Sequence, residues 1–194
     1  ILGPLGNGFS IPEDLATAVL VIGGMGAPPI LHLAHNLKQK HPTVENIAFV
    51  GAKTFESLPF QLRIGNKTGI VIEDFERLGI TAHVATDDGS AGTKGFVTEK
   101  LRLWLDQNTP DPEHTVIYAC GPEPMLKQCA AIAEQTNIPC QVSMERMMAC
   151  GIGLCQSCAV RVKQVKQEDP EYRLCCQDGP VFDSRRVLFK TENA

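Results

Sequence analysis

The 194 residues include 43% hydrophobic and 21% charged side chains, enough to bury a core without disulfides and far from the composition of a disordered chain. A net charge of −4, with lysines and arginines scattered rather than striped, gives no surface for a phosphate backbone, so no nucleic acid partner is expected. The longest apolar run, AVLVIGGMGAPPIL at 18–31, is interrupted by glycines and prolines and is too short to span a bilayer, so no membrane association is expected either.

The chain opens on Ile1 in ILGPLGNGF, a Gly/Pro-rich stretch that reads as the tail of something upstream. Next, AVLVIG (18–23) reads as a strand buried on both faces, followed by a glycine turn and a helix, PPILHLAHNLKQK, with Ile30, Leu33 and Leu37 on one stripe. IAFVGA (47–52) and ITAHVAT (80–86) are two more such strands. VTEKLRLWLDQN follows as a helix striped by Val97, Leu101, Trp104 and Leu105. TVIYAC (115–120), the helix EPMLKQCAAIAEQ with Met125, Cys129, Ile132 and Ala133, and the strand IPCQVSM (138–144) complete the alternation. Strand and helix alternating in this way predict an α/β fold, a parallel sheet with helices on both faces. After residue 144 the helical signal stops. AVRVKQV alternates like a half-exposed strand and QEDPEYR reads as a polar turn. A boundary near residue 140 leaves a module of about 55 residues, small enough to need a staple.

The cysteines supply that staple. Cys120, Cys129 and Cys140 lie in apolar patterns, whereas the rest of the eight crowd between 150 and 176, a distribution for metal in a reducing, cytoplasmic compartment rather than for disulfides. Cys150, Cys155 and Cys158 are spaced C-x4-C-x2-C, and the first gap holds Gly151 and Gly153, which allow backbone N–H groups to approach cluster sulfides. This is the plant-type [2Fe–2S] spacing, with a fourth cysteine from farther along. Zinc and incidental cysteines are the alternatives, zinc being disfavoured because no histidine follows His114. The fourth ligand is Cys175 or Cys176, and spacing does not choose between them.

Three glycine-bearing loops follow strands of the presumed sheet on its carboxyl edge, where such folds bind dinucleotides. The first, Gly23-Gly24-Met25-Gly26, leads into a helix N-terminus suited to a pyrophosphate, or is a purely structural turn. The second, ATDDGSAGTKG, offers Thr86, Asp87 and Asp88. An aspartate there would bond an adenosine ribose and repel a 2′-phosphate, favouring NAD over its phosphorylated form, or would merely cap its own turn. The third, ACGPEPM, holds Cys120, Gly121, Pro122 and Met125. Taken alone, Cys120 is a small core side chain.

Read together, GPLGNGF, GGMGAPPI, ATDDGSAGTKGFVT, YACGPEPML and SMERMMACGIGLCQSCAV with CCQDGPVF resemble the electron-transfer subunits of NAD-dependent (class 1B) dihydroorotate dehydrogenase, in the ferredoxin–NADP reductase superfamily. The resemblance covers essentially the whole chain, and its cysteine segment is the specific part. It implies that residues 1–9 are the end of an FAD-binding barrel, 10–139 an NAD-binding domain and 140–194 a [2Fe–2S] domain. The barrel, which carries the family's main FAD-binding residues, is absent from this sequence. The cysteine before x-Asp-Gly-Pro is the family's fourth ligand, which corresponds to Cys176 and leaves Cys175 spare. The Cys-Gly-Pro loop lies beside the nicotinamide, giving Cys120, Gly121 and Pro122 that position, and Glu145 fits the family's Ser-hydrophobic-Glu wording. The implied activity passes electrons from dihydroorotate, oxidised by a catalytic FMN subunit in a heterotetramer, through the cluster and FAD to NAD⁺ in pyrimidine biosynthesis. A sulfide dehydrogenase or hydrogenase type of subunit, and a zinc-stapled nucleotide-binding module, are the competing readings.

Overall fold

The computed structural model describes residues 3–65, 69–164 and 169–189. In chain order come strand β1 (Thr17–Gly23), helix α1 (Ala27–Lys40), β2 (Glu45–Ala52), a hairpin of β3 (Leu62–Gly65) and β4 (Gly69–Ile72), the short helix α2 (Glu73–Arg77), β5 (Thr81–Thr86) and β6 (Thr93–Lys94). They are followed by α3 (Val97–Asn108), β7 (Thr115–Cys120), α4 (Glu123–Thr136), β8 (Cys140–Ser143), β9 (Ala159–Val162), β10 (Glu171–Leu174) and β11 (Val181–Asp183). Seven strands form one sheet in the order β11-β8-β7-β1-β2-β5-β6, every pair parallel except β11 against β8.

The two faces of the sheet are sorted by residue parity along β1, as strand geometry requires. Ala18, Leu20 and Ile22 pack under the α1 stripe of Ile30, Leu33, Ala34 and Leu37. Val19 and Val21 pack on the other face beneath Leu101 and Leu105 of α3 and Leu126, Cys129 and Ile132 of α4. Trp104 and Met125, predicted on those stripes, are only partly buried at their edge. Trp104 meets Phe49 edge-on, with ring centroids 5.8 Å apart. Among the described residues no helix is long and apolar enough to cross a membrane.

From β1 the chain winds outward through β2 and β5, then returns to the other side of β1 as β7. Helix α1 after β1 and helix α4 after β7 therefore cover opposite faces of the sheet, and the crevice in which such folds bind ligands is the one outside the carboxyl ends of these two central strands.

The last part of the chain differs from its sequence reading at two short strands, β10 and β11. Glu171–Arg173, read as part of a polar turn, belong to strand β10, which pairs antiparallel with β9 from Glu171 opposite Val162 to Leu174 opposite Ala159. The ribbon is held by its backbone ladder, and a strand with Tyr172 largely exposed leaves no apolar alternation to detect. Val165 of the AVRVKQV reading, with residues 166–168, lies outside the described residues. Strand β11 attaches this part to the main sheet, and Cys158, Val160, Val162, Cys175 and Val187 extend the core beneath α3 and α4.

Candidate functional site

The loops after β1 and β7 touch backbone to backbone. A Cβ on Gly26 would run into the Cys120 carbonyl and come within 2.9 Å of the Gly121 nitrogen. One on Gly23 would meet Met125 Sδ at 2.7 Å and Pro122 Cδ at 2.8 Å, and one on Gly121 would meet Gly23 Cα at 2.9 Å. Gly23, Gly26, Cys120, Gly121, Pro122 and Met125 are thus brought into one contact, in which the glycines serve the approach of the two loops. Gly24 differs. Its φ of 49° is left-handed, and among the described residues nothing lies within 4 Å of where its side chain would be. It faces open space at the start of the crevice, just before α1. Pro28 and Pro29 in the first turn of α1 lack N–H groups, so the donors available to an anion come from the glycine turn itself.

The second loop is closed by its own side chains. Thr86 is fully buried, its hydroxyl donating to the Ala91 carbonyl at 2.8 Å and accepting from the Ala91 amide at 2.9 Å. The Asp88 carboxylate accepts from the Ser90 amide (2.9 Å) and hydroxyl (2.6 Å), and these bonds hold its pKa below the ordinary value. Asp88 therefore caps its own turn, whereas Asp87 is exposed. The loop is tied to the end of β2 by the amides of Asp87 and Asp88, which donate to the carbonyls of Ala52 (3.1 Å) and Lys53 (3.3 Å).

At the far side of the crevice Cys120 pairs in register with Ser143 at the end of β8. Burial raises the Cys120 thiol above its usual pKa, Ser143 opposes the rise, and Glu145 adds to it. Ser143 and Glu145 thus join Cys120 at the edge. Arg146 Nη1 donates to the Glu145 carbonyl (2.8 Å) and pairs with Glu123 Oε2 at 3.0 Å, with the two side chains 20% and 25% exposed. Glu123 opens α4 directly after the Cys-Gly-Pro loop, so this pair joins that loop to the segment leading to the clustered cysteines.

Those cysteines sit on a loop wound by three left-handed residues, Gly151 (φ 70°), Gly153 (φ 85°) and Gln156 (φ 58°). The Cys155 amide donates to Cys150 Sγ at 3.4 Å. Cys155 Sγ lies 3.1 Å from the Ser157 hydroxyl, whose hydrogen bonding is the largest cause drawing this thiol down to about 6. The Cys158 and Cys176 sulfurs are 3.4 Å apart, with their residues 2% and 7% exposed. Cys175 points the other way, its thiol 3.8 Å from the Met144 carbonyl and pushed by burial up to about 11. The turn bearing Cys176 is fixed by the Leu174 carbonyl, which accepts the amides of Gln177, Asp178 and Gly179, and by Asp178 Oδ2, which accepts the Leu174 amide at 2.7 Å. Gln177 Nε2 donates to the Ile152 carbonyl (3.1 Å) and latches this turn to the cysteine loop. In the metal-free protein at pH 7, iodoacetamide is expected to label Cys155 well before Cys175, the Cys155 rate falling as pH drops through about 6. Peptide mapping by mass spectrometry reads both rates.

The donor set bears on the choice of metal. The cysteines fall into two pairs: the Cys158 and Cys176 sulfurs are in contact, and Cys150 Sγ accepts the Cys155 amide. Among the described residues no group of three or more His, Cys, Asp or Glu is placed to hold one metal ion. A structural zinc needs four ligands converging on one ion, whereas two sulfide-bridged irons each take two thiolates. The pairs fit the second requirement.

Residues 20–131, more than half of the chain, match the oxidoreductase NAD-binding domain. The chain belongs to that family. Residues 145–188 match the iron-sulfur cluster binding domain of dihydroorotate dehydrogenase B, so the nucleotide-binding family member carries an iron–sulfur segment behind it. The chain is 38% identical over 189 residues to the electron transfer subunit of dihydroorotate dehydrogenase B (NAD(+)) of Caldanaerobacter subterraneus subsp. tengcongensis, and 40% identical over 193 residues to that of Geobacillus kaustophilus. Each alignment takes in 97% of this chain but only 66% and 64% of the relative, so the chain spans about two thirds of their length. Among solved structures, that of an NADH-dependent reduced ferredoxin-NADP oxidoreductase superposes with a TM-score of 0.73 at 29% identity, covering 97% of this chain and 59% of that one. An Amycolatopsis cytochrome P450 reductase shares the fold over 70% of this chain and 39% of its own, with a TM-score of 0.52 at 19% identity.

Ser157, Gln177 and Arg146 escape a motif reading for different reasons. Ser157 and Gln177 stand next to cysteines but are not ligand types, and the Arg146–Glu123 pair spans 23 positions with no local pattern.

Proposed function

We propose that the chain is the electron-transfer part of an NAD-dependent dihydroorotate dehydrogenase, assembling with a catalytic FMN subunit as a heterotetramer and delivering electrons from dihydroorotate to NAD⁺ in pyrimidine biosynthesis. The observation that carries this reading is the arrangement of the cysteines in two pairs on the segment resembling the family's iron–sulfur domain. In it, Cys150, Cys155, Cys158 and Cys176 would hold a [2Fe–2S] cluster. When bound, such a cluster supplies one-electron transfer, at a potential set by its surroundings. NAD lies over the crevice, its pyrophosphate against Gly24 beside Gly23 and Gly26, its adenosine towards Asp87, and its nicotinamide by Cys120, Gly121 and Pro122. Thr86, Asp88 and Met125 act by shaping these loops. Cys120, a protonated and mostly buried thiol, keeps charge away from the nicotinamide side. Residues 10–139 form the NAD-binding domain in this reading, 140–194 the cluster domain, and 1–9 the end of a flavin barrel. FAD enters through the family resemblance rather than through a site described above.

The test is the full-length protein prepared anaerobically with and without its partner. Two irons and two sulfides per chain, NADH binding, and NAD⁺ reduction that depends on dihydroorotate and on an FMN-containing partner are the expected results. Zinc in place of iron, or a purified partner with no dihydroorotate chemistry, would overturn the proposal.

A further inference from the structure

We propose that Ser157 raises the electron affinity of the cluster by donating its hydroxyl proton to the Cys155 sulfur, an inference that rests on the cluster reading above. A serine hydroxyl has one proton to give and two lone pairs. Among the described residues, three groups lie within hydrogen-bonding distance of it: Cys155 Sγ at 3.1 Å, the Ala149 amide at 3.2 Å and the Met147 carbonyl at 3.4 Å. The Ala149 amide can only donate, so it occupies a lone pair and anchors the oxygen. The proton is left with two acceptors, the sulfur and the carbonyl. The sulfur is nearer despite its larger radius, and a metal-bound thiolate is charged, which strengthens the bond to it. A bound thiolate also carries no proton of its own, so the direction is fixed: O–H donates and sulfur accepts. Gln156, at φ 58°, makes the bend that turns residues 155 and 157 toward each other.

The consequence follows from charge. Reduction adds one electron to the cluster and breaks no bond, and the hydroxyl proton stays on its oxygen. The added negative charge spreads onto the thiolates, so a donor aimed at one of them stabilises the reduced form more than the oxidised form. Cys150 and Cys155 form the exposed pair of thiols, while Cys158 and Cys176 are buried. Ser157 therefore supplies a fixed donor on the side that the protein interior leaves open.

The experiment is a redox titration of the full-length holoprotein with dithionite under anaerobic conditions, followed by visible absorption and paramagnetic resonance. It compares the native protein with Ser157→Ala and with the isosteric pair Ser157→Thr and Ser157→Val. Iron and sulfide content are measured beside each titration. At the native midpoint, the reduced-to-oxidised ratio is expected to fall roughly 3- to 10-fold in the Ala and Val variants, the worth of one hydrogen bond, and to stay near native in Thr. A role limited to holding the loop would change cluster retention and leave the midpoint of the retained cluster in place. Fully loaded Ala and Val variants with native midpoints overturn the proposal while the cluster reading stands. Native protein without iron and sulfide overturns the cluster reading, and this proposal with it.

Discussion

Cys176→Ala is expected to abolish iron and sulfide binding by the full-length protein, whereas Cys175→Ala leaves the cluster in place and costs about 1 kcal/mol of stability, the scale of one small buried group. The two cysteines are adjacent, and their difference lies wholly in direction. The Cys176 sulfur sits 3.4 Å from that of Cys158, so its removal leaves one pair with a single thiolate. Cys175 is in no position to replace it. Its side chain is fully buried on the opposite side of the chain, facing the Met144 carbonyl, and the turn that would have to rotate is clamped by three amides on the Leu174 carbonyl and by the Asp178 carboxylate. Loss of both irons in Cys176→Ala, with native iron, sulfide and absorption in Cys175→Ala, is the expected pattern. The reverse pattern would exchange the two assignments. A thermal melt of Cys175→Ala checks the stability term separately.

That choice marks where reading from residue pattern stops. Spacing alone treats Cys175 and Cys176 alike, because what separates them is a turn organised by backbone hydrogen bonds and by an aspartate three positions on from Cys175. The family resemblance implies Cys176, and the two side chains differ in direction, Cys176 towards Cys158 and Cys175 towards the Met144 carbonyl. Elsewhere the pattern suffices where burial is continuous: helix α3 spans the residues of its apolar stripe, and β7, buried along its whole length, coincides with TVIYAC. It fails where a strand is short and half wet. Tyr172 and Arg173 carry no alternation, and Val181–Asp183 is three residues of a segment whose cysteines draw the reading towards metal chemistry. At the carboxyl edge, the glycines were legible as sites of close approach. Which of them meets another loop and which faces open space depends on where β7 ends against β1, and this is set by sheet order rather than by any local sequence.

Gly26→Ala is expected to destabilise the protein by about 3 kcal/mol and to remove NADH binding, whereas Gly24→Ala costs about 1 kcal/mol and yet weakens NADH at least roughly tenfold. At Gly26 the added methyl meets the Cys120 carbonyl and the Gly121 nitrogen, both backbone, so no rotamer change relieves the overlap. Relief would require parting the ends of β1 and β7, neighbours at the centre of the sheet in register from Thr17 opposite Thr115 to Ile22 opposite Cys120. The crevice is bounded by those same ends, so stability and binding fall together. At Gly24 the methyl meets nothing, and the stability cost is only that of a left-handed φ on a residue with a Cβ. If that open space is where a pyrophosphate comes against the backbone, the methyl occupies it and binding falls while the fold persists. Urea unfolding and NADH calorimetry on the two full-length variants separate these effects. A Gly24→Ala variant that binds NADH like the native protein would move the pyrophosphate elsewhere on the edge, and a Gly26→Ala variant of native stability would remove the contact between the two loops.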